Sequence, residues 1–178
     1  MIITDINKLR QICKPASKIE AIEIIEFLDK ELQEINKYGI CGIGLAAPQI
    51  GIDKRVAIIR IGNIKIDLVN CSIAEQYDIG PSKEGCLSIP GKTCIVDRYN
   101  EIIIKDNYYG NINNFVCYGM VSIASQHELN HFDGMLMIDK AIPEHINIGD
   151  NMECHCGSRK KYKHCCKKRG QNELKRTN

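Results

Sequence analysis

Two histidines stand four residues apart in Gln126-His-Glu-Leu-Asn-His131, an HExxH sequence. On a helix such a pair shares one face and can bind a single metal ion, with Glu128 close enough to take a proton from a water on that ion. The same five letters also fit a surface helix that carries two histidines by coincidence. A mononuclear catalytic site needs a third protein ligand and one open position for water. Cys86, in Glu84-Gly-Cys-Leu-Ser88, is the best candidate. Gly85 permits a sharp backbone path there, and a thiolate is a strong ligand for a borderline-soft divalent ion. An isolated free cysteine is, however, commonly just a small buried hydrophobe.

The elements that must carry these groups follow from periodicity. From Gly119 onward, Met120, Ile123, Ala124, His127 and His131 fall on one face of a helical segment ending near Gly134. An earlier amphipathic helix is expected between Ser17 and Lys37, with Ile22, Ile25, Leu28, Leu32 and Ile35 as its apolar stripe and Gly39 as its stop. After the Gly-rich stretch Gly42-Ile-Gly-Leu-Ala-Ala-Pro-Gln49, β-branched runs at Val56 to Ile61, Ile64 to Val69 and Glu101 to Lys105 predict strands. Turn chemistry at 109–114 predicts a hairpin onto Phe115 to Tyr118. Strands and helices that do not alternate regularly predict an α+β fold, with small antiparallel or mixed sheets around the HExxH helix.

With 178 residues, 44% hydrophobic and 26% charged, the composition is that of a soluble domain with room for a small appendage. No apolar run is long enough for a membrane span, and the first residues show no targeting pattern, so cytoplasmic residence and no membrane partner are expected. Of ten cysteines, Cys13, Cys41, Cys71, Cys86, Cys94 and Cys117 are scattered, whereas Cys154, Cys156, Cys165 and Cys166 lie in one short segment. Residues 151–178 hold nine Lys+Arg against two Asp+Glu, a net +7, while the rest holds 15 against 20, a net −5. That shift marks a boundary near residue 150, between a domain at 1–150 and a basic tail at 151–178.

The three segments Gly42-Ile-Gly-Leu-Ala-Ala-Pro-Gln49, Glu84-Gly-Cys-Leu-Ser88 and Gln126-His-Glu-Leu-Asn-His131 resemble, in order and approximate spacing, the three signature motifs of peptide deformylases. The resemblance covers about residues 1–145 and implies removal of the N-terminal formyl group from formyl-methionyl nascent polypeptides, with release of formate. It implies that Cys86, His127 and His131 hold a metal, physiologically Fe2+ and readily replaced by Zn2+, Ni2+ or Co2+. Glu128 is then the general base, and the Gln49 side chain and the Leu87 backbone N–H stabilise the oxyanion. Ile43 and Gly44 are implied to pair with the substrate backbone. Met120, Ile123 and Ala124 are placed by helical spacing to floor a pocket for methionine, or else are simply core. One departure is Asn130, where the family usually has Asp. Arg98 is expected to bond it as a neutral acceptor.

The Cys154-His-Cys156 and Cys165-Cys166 pairs, separated by a Gly-containing turn, suit a closed tetrahedral Zn2+ site and resemble the SEC-C motif. A segment this small needs metal to fold. Its positive charge suggests an acidic partner, for which the ribosome is the natural hypothesis, or a merely solvated tail; no DNA partner is expected. The competing functions are an HExxH metallopeptidase cleaving internal bonds and a catalytically idle binding protein. Zincins commonly draw their third ligand from downstream of the helix, whereas Cys86 lies upstream.

Overall fold

The structure is a computed structural model that describes residues 1–107, 113–142 and 160–164. Its helices are α1 (Ile6–Leu9), α2 (Lys18–Lys37), α3 (Gly119–Phe132) and α4 (Met137–Lys140). Strands β1 (Gly44–Ala46), β2 (Val56–Ile61) and β3 (Ile64–Val69) form one three-stranded antiparallel sheet in that order. Strands β4 (Ser72–Cys86), β5 (Ile89–Asp106) and β6 (Asn113–Tyr118) form a second. No helix among the described residues is long and apolar enough to cross a membrane. This is the α+β architecture with small antiparallel sheets that the sequence predicts.

Helix α2 starts at Ser17 because its side chain accepts from the Glu20 amide while the Glu20 carboxylate accepts from the Ser17 amide, a reciprocal cap. It buries Ala21, Ile24, Leu28 and Leu32, so the predicted stripe needs correction. Ile22 is 44% exposed, and Ile25 and Ile35 are only half-buried. One residue advances a helix by about 100°, so choosing Ile22 over Ala21 turns the stripe away from the core. The small Ala21 marks the contact line because it lets the helix approach the cluster of Leu45, Val56 and Ile58 on β1 and β2.

Helix α3 contributes Ala124, Leu129 and Phe132 to a core completed by Ala57 and Ile59 of one sheet and Ile102 and Ile104 of the other. Its N-terminus follows directly from β6, and Gly134, at φ 66°, lies just beyond its end. A side chain at Gly134 would collide with the backbone of Arg10, which ties the helix exit to the N-terminal segment. The helix bearing the HExxH residues is therefore wedged between both sheets and cannot slide without disrupting each.

Strands β2 and β3 have the bounds predicted for them. The predicted strand at Glu101 to Lys105 is the last part of the 18-residue β5. The 15-residue β4 was not anticipated, because its outer half carries Gly80, Pro81 and mostly exposed polar positions that blur the alternation. Residues 108–112, including most of the predicted turn, lie outside the described residues, but β6 pairs antiparallel with β5 as a hairpin requires. Apart from residues 160–164, the predicted tail, with its cysteines Cys154, Cys156, Cys165 and Cys166, also lies outside them.

Candidate active site

The β4–β5 turn and α3 bring together residues separated by some forty positions. Glu84 and Cys86 lie two apart on β4, hence on one face, and the chain reverses at Leu87 and Ser88 so that Cys86 pairs with Ile89. Opposite them α3 presents His127 and His131. The ligand atoms of Cys86, His127 and His131 all lie within 4.8 Å of one another. Cys86 Sγ is 3.5 Å from His131 Nε2. Two donors on a tetrahedral ion at ordinary Zn–S and Zn–N lengths would stand about 3.5 Å apart, so the set has the spacing of a metal centre.

Glu128 adds two observations to that fit. Glu128 Oε2 is buried with no hydrogen-bond partner among the described residues. Buried polar atoms are rarely left so. Glu128 also lies close to the Gly-rich strand: a Cβ on Gly44 would stand 2.5 Å from Glu128 Oε1. Glycine at 44 is thus demanded by the close approach of a carboxylate.

Gln49 is held in the 3₁₀ turn Ala47–Ile50 and is 1% exposed. Its Oε1 accepts from the Ala46 amide at 2.8 Å, which fixes the amide orientation and turns Nε2 toward Cys86 Sγ at 3.5 Å and Ser88 Oγ at 3.4 Å. A side-chain donor is therefore oriented beside the sulfur rather than free to rotate.

Behind Cys86, His127 and His131 lies a buried ion cluster that the sequence only partly foretold. Arg98, 3% exposed, donates to both oxygens of Glu84 at 2.7 and 2.9 Å and to Asn130 Oδ1 at 2.7 Å. The neutral-acceptor bond expected at Asn130 is present, but Glu84 neutralises the guanidinium. Glu84 Oε2 also lies 3.0 Å from His127 Nδ1, leaving Nε2 of that ring available as a ligand atom. The overlooked signal was the i, i+2 placement of Glu84 and Cys86 on a strand.

The electrostatics follow from these contacts. Burial alone would raise Glu84, yet hydrogen bonds from Arg98 and His127 outweigh it and hold the carboxyl down to about 2. Burial pushes Glu128 up to about 7, with no partner to oppose it fully. Burial also disfavours charge on His127, but contacts with Cys86 and Glu84 outweigh it and raise the ring to about 10; His131 is pushed down to about 3 by its burial and by the positive charges of His127 and Arg98.

A pocket of about 900 Å³ opens onto this set. Ile43, Gly44, Gln49, Cys86, Leu87, Met120, Ile123, Ala124, His127 and Glu128 all line it, while His131 sits behind them at 1% exposure. Ala124 is buried and Ile123 half-buried, consistent with a floor, whereas Met120 is 60% exposed and belongs to the mouth. Met120 lines the same pocket from the first turn of α3, and its exposure sets aside the alternative that it is core.

Comparison with known proteins assigns the family. The sequence matches the family described as polypeptide deformylase over residues 2–147. The chain belongs to the polypeptide deformylase family. A peptide deformylase of Carboxydothermus hydrogenoformans is 37% identical over 134 residues, covering 75% of this chain and 86% of that protein. One of Halothermothrix orenii is 34% identical over 153 residues, covering 82% and 97%. The crystal structure of peptide deformylase from Thermotoga maritima superposes with a TM-score of 0.69 at 28% identity, covering 79% of this chain and 96% of that one. The chain is accordingly a metal-dependent hydrolase that removes the formyl group from the N-terminus of polypeptides, and the endopeptidase and idle-adaptor alternatives give way to deformylation.

Proposed function

We propose that this deformylase works through Cys86, His127 and His131 as metal ligands, Glu128 as general base, and Gln49 with the Leu87 N–H as oxyanion donors. The observation that carries the reading is the convergence of three ligand atoms within 4.8 Å beside a buried carboxylate oxygen that has no hydrogen-bond partner among the described residues. The thiolate and imidazole donors fit Fe2+, and Zn2+, Ni2+ or Co2+ suit the same set. A divalent ion held there would lower the pKa of a bound water, supplying hydroxide near neutral pH.

The chain's own groups supply the rest. Glu128, raised to about 7 by its burial, is balanced to accept a proton from the attacking water and to deliver it to the leaving amine. The Gln49 amide, clamped by the Ala46 N–H, offers a donor that needs no reorganisation as negative charge develops. Ile43 and Gly44 line the pocket on the β1 side, where a formyl-methionyl peptide would add as a short strand over the floor of Ile123 and Ala124. The free thiols at Cys13, Cys41, Cys71, Cys94 and Cys117 suit the reducing cytoplasm in which nascent chains are processed.

The basic tail at 151–178 is proposed as an SEC-C-like Zn2+ module, with Cys154, Cys156, Cys165 and Cys166 as ligands and ribosomal RNA as its acidic partner. Salt-sensitive ribosome binding that survives deletion of 151–178 would remove that part of the proposal. The catalytic part is tested by anaerobic turnover of formyl-Met-Ala-Ser by iron-loaded protein beside Glu128→Ala. Release of formate by wild type alone is expected. Equal rates, or inactivity of both with metal shown to be bound, would overturn the role of Glu128 or of the site.

A further inference from the structure

The mouth of the pocket carries charge of one sign. Its exposed charged lining residues are Lys83 and Lys92, whereas the lining carboxylates Glu84 and Glu128 are both buried on the inner side. Glu84 is moreover already neutralised by Arg98. Among the described residues neither lysine forms a salt bridge within the chain. The exposed acid nearest in register, Asp97, pairs with Pro81 while Lys83 pairs with Ile95, and Asp97 does not line the pocket. This local positive field stands on a domain whose residues 1–150 hold 15 basic against 20 acidic groups, so it is not the overspill of a basic protein.

The backbone explains how Lys92 comes to the mouth. Gly85 pairs with Thr93 and Cys86 with Ile89, which leaves Pro90, Gly91 and Lys92 of β5 with no partner on β4. Such an irregularity takes residues out of the ladder and re-aims them. Gly91 adopts φ 73° within it, a conformation open to glycine. Lys83 flanks the opposite strand three residues before Cys86. Both lysines thus line the pocket from the hairpin that carries the sulfur, one from each strand.

We infer that Lys83 and Lys92 set the enzyme's preference among substrates, favouring formyl-methionyl peptides with acidic residues after the methionine and disfavouring basic ones. This inference rests on the reading of the pocket as the substrate site. Two exposed charges about 7 Å apart interact weakly in water, so each lysine contributes about two- to threefold in kcat/KM, mainly through KM. The effect is screened by salt.

The test compares C-terminally amidated formyl-Met-X-X peptides, with X as Glu, Gln or Lys, on wild type and on the double variant Lys83→Glu/Lys92→Glu, using metal-loaded full-length protein. Expected at low salt is the order Glu over Gln over Lys, with about four- to ninefold at each step from the two lysines together, contracting at high salt, and with the order inverted in the double variant. The readout is a ratio within each protein, so a general loss of activity does not imitate it. Equal kcat/KM for the three peptides, or the same order in wild type and variant, overturns the inference while leaving the deformylase site intact. No turnover of any peptide by wild type overturns the pocket reading and the inference with it.

Discussion

Replacing Glu84 with Gln removes one charge from a buried cluster whose other members stay behind. Arg98 is 3% exposed and donates twice to Glu84, and His127 meets the same carboxylate at 3.0 Å. In the native chain Glu84 sits at about 2 against an ordinary value of 4.5, a difference of about 2.5 units. At about 1.4 kcal/mol per unit this links to a stabilisation of about 3 kcal/mol. The sign is that of a depressed acid: the contribution is complete above pH 4.5 and is lost as pH falls toward 2. Breaking a buried pair by removing one partner independently costs about 3–5 kcal/mol, so the two routes agree. For a domain of this size that corresponds to a fall in Tm of roughly 6–12 °C at neutral pH. Because Glu84 also orients His127, metal affinity should fall by about 10–100-fold. Thermal unfolding of metal-free and metal-loaded protein between pH 2 and 7, with competitive chelation for affinity, reads all three effects. A Glu84→Gln protein with wild-type Tm at neutral pH and wild-type metal affinity would refute the account of the cluster.

Gly44→Ala would drive a methyl to 2.5 Å from Glu128 Oε1, so kcat/KM should drop by about tenfold or more, with a loss of about 1–3 kcal/mol in stability; an unchanged kcat/KM would show that β1 yields instead. Gln49→Ala removes a donor held by the Ala46 N–H and should raise the barrier by about 2.7–4 kcal/mol, read as kcat with KM little altered; a loss confined to KM would assign Gln49 to substrate binding alone. In metal-free protein His127 is held at about 10 by Cys86 and Glu84 against its burial, so it carries a proton at neutral pH that a metal must displace. Adding Zn2+ to weakly buffered apo-protein should release that proton, and affinity should rise by about tenfold per pH unit between 6 and 8. Affinity that is flat over that range would remove the protonated ring from the apo site.

Some of this was open to reading from the chain alone. The strands at Val56–Ile61 and Ile64–Val69 have the predicted bounds because β-branched runs closed by Gly and Asn turns need no distant partner to be identified. Helix α3 was legible for the same reason, since four-residue spacing of histidines is a local property of a helix. The motif residues Gln49, Cys86, Glu128 and both histidines carried their chemistry in their types and order. Local pattern failed where the outcome depended on a partner: the face of α2 turned on Ala21 joining one buried cluster with residues of β1 and β2, and β4 owes its length to pairing with β5 rather than to its own polar, glycine-containing residues.

What the sequence determined by itself is the reaction class, because the three short motifs that mark the family are each contiguous in the chain and can be recognised one at a time. What only the tertiary structure decided is how those groups are held and charged. Glu84 lies fourteen residues from Arg98 and forty-three from His127, and nothing local predicts that one carboxylate serves both. The positive rim of the pocket is likewise a product of folding, since Lys83 and Lys92 become neighbours of one opening only when the β4–β5 hairpin closes. Charge acts through space and periodicity acts along the chain, which is why the site's chemistry was legible before folding and its electrostatics only after.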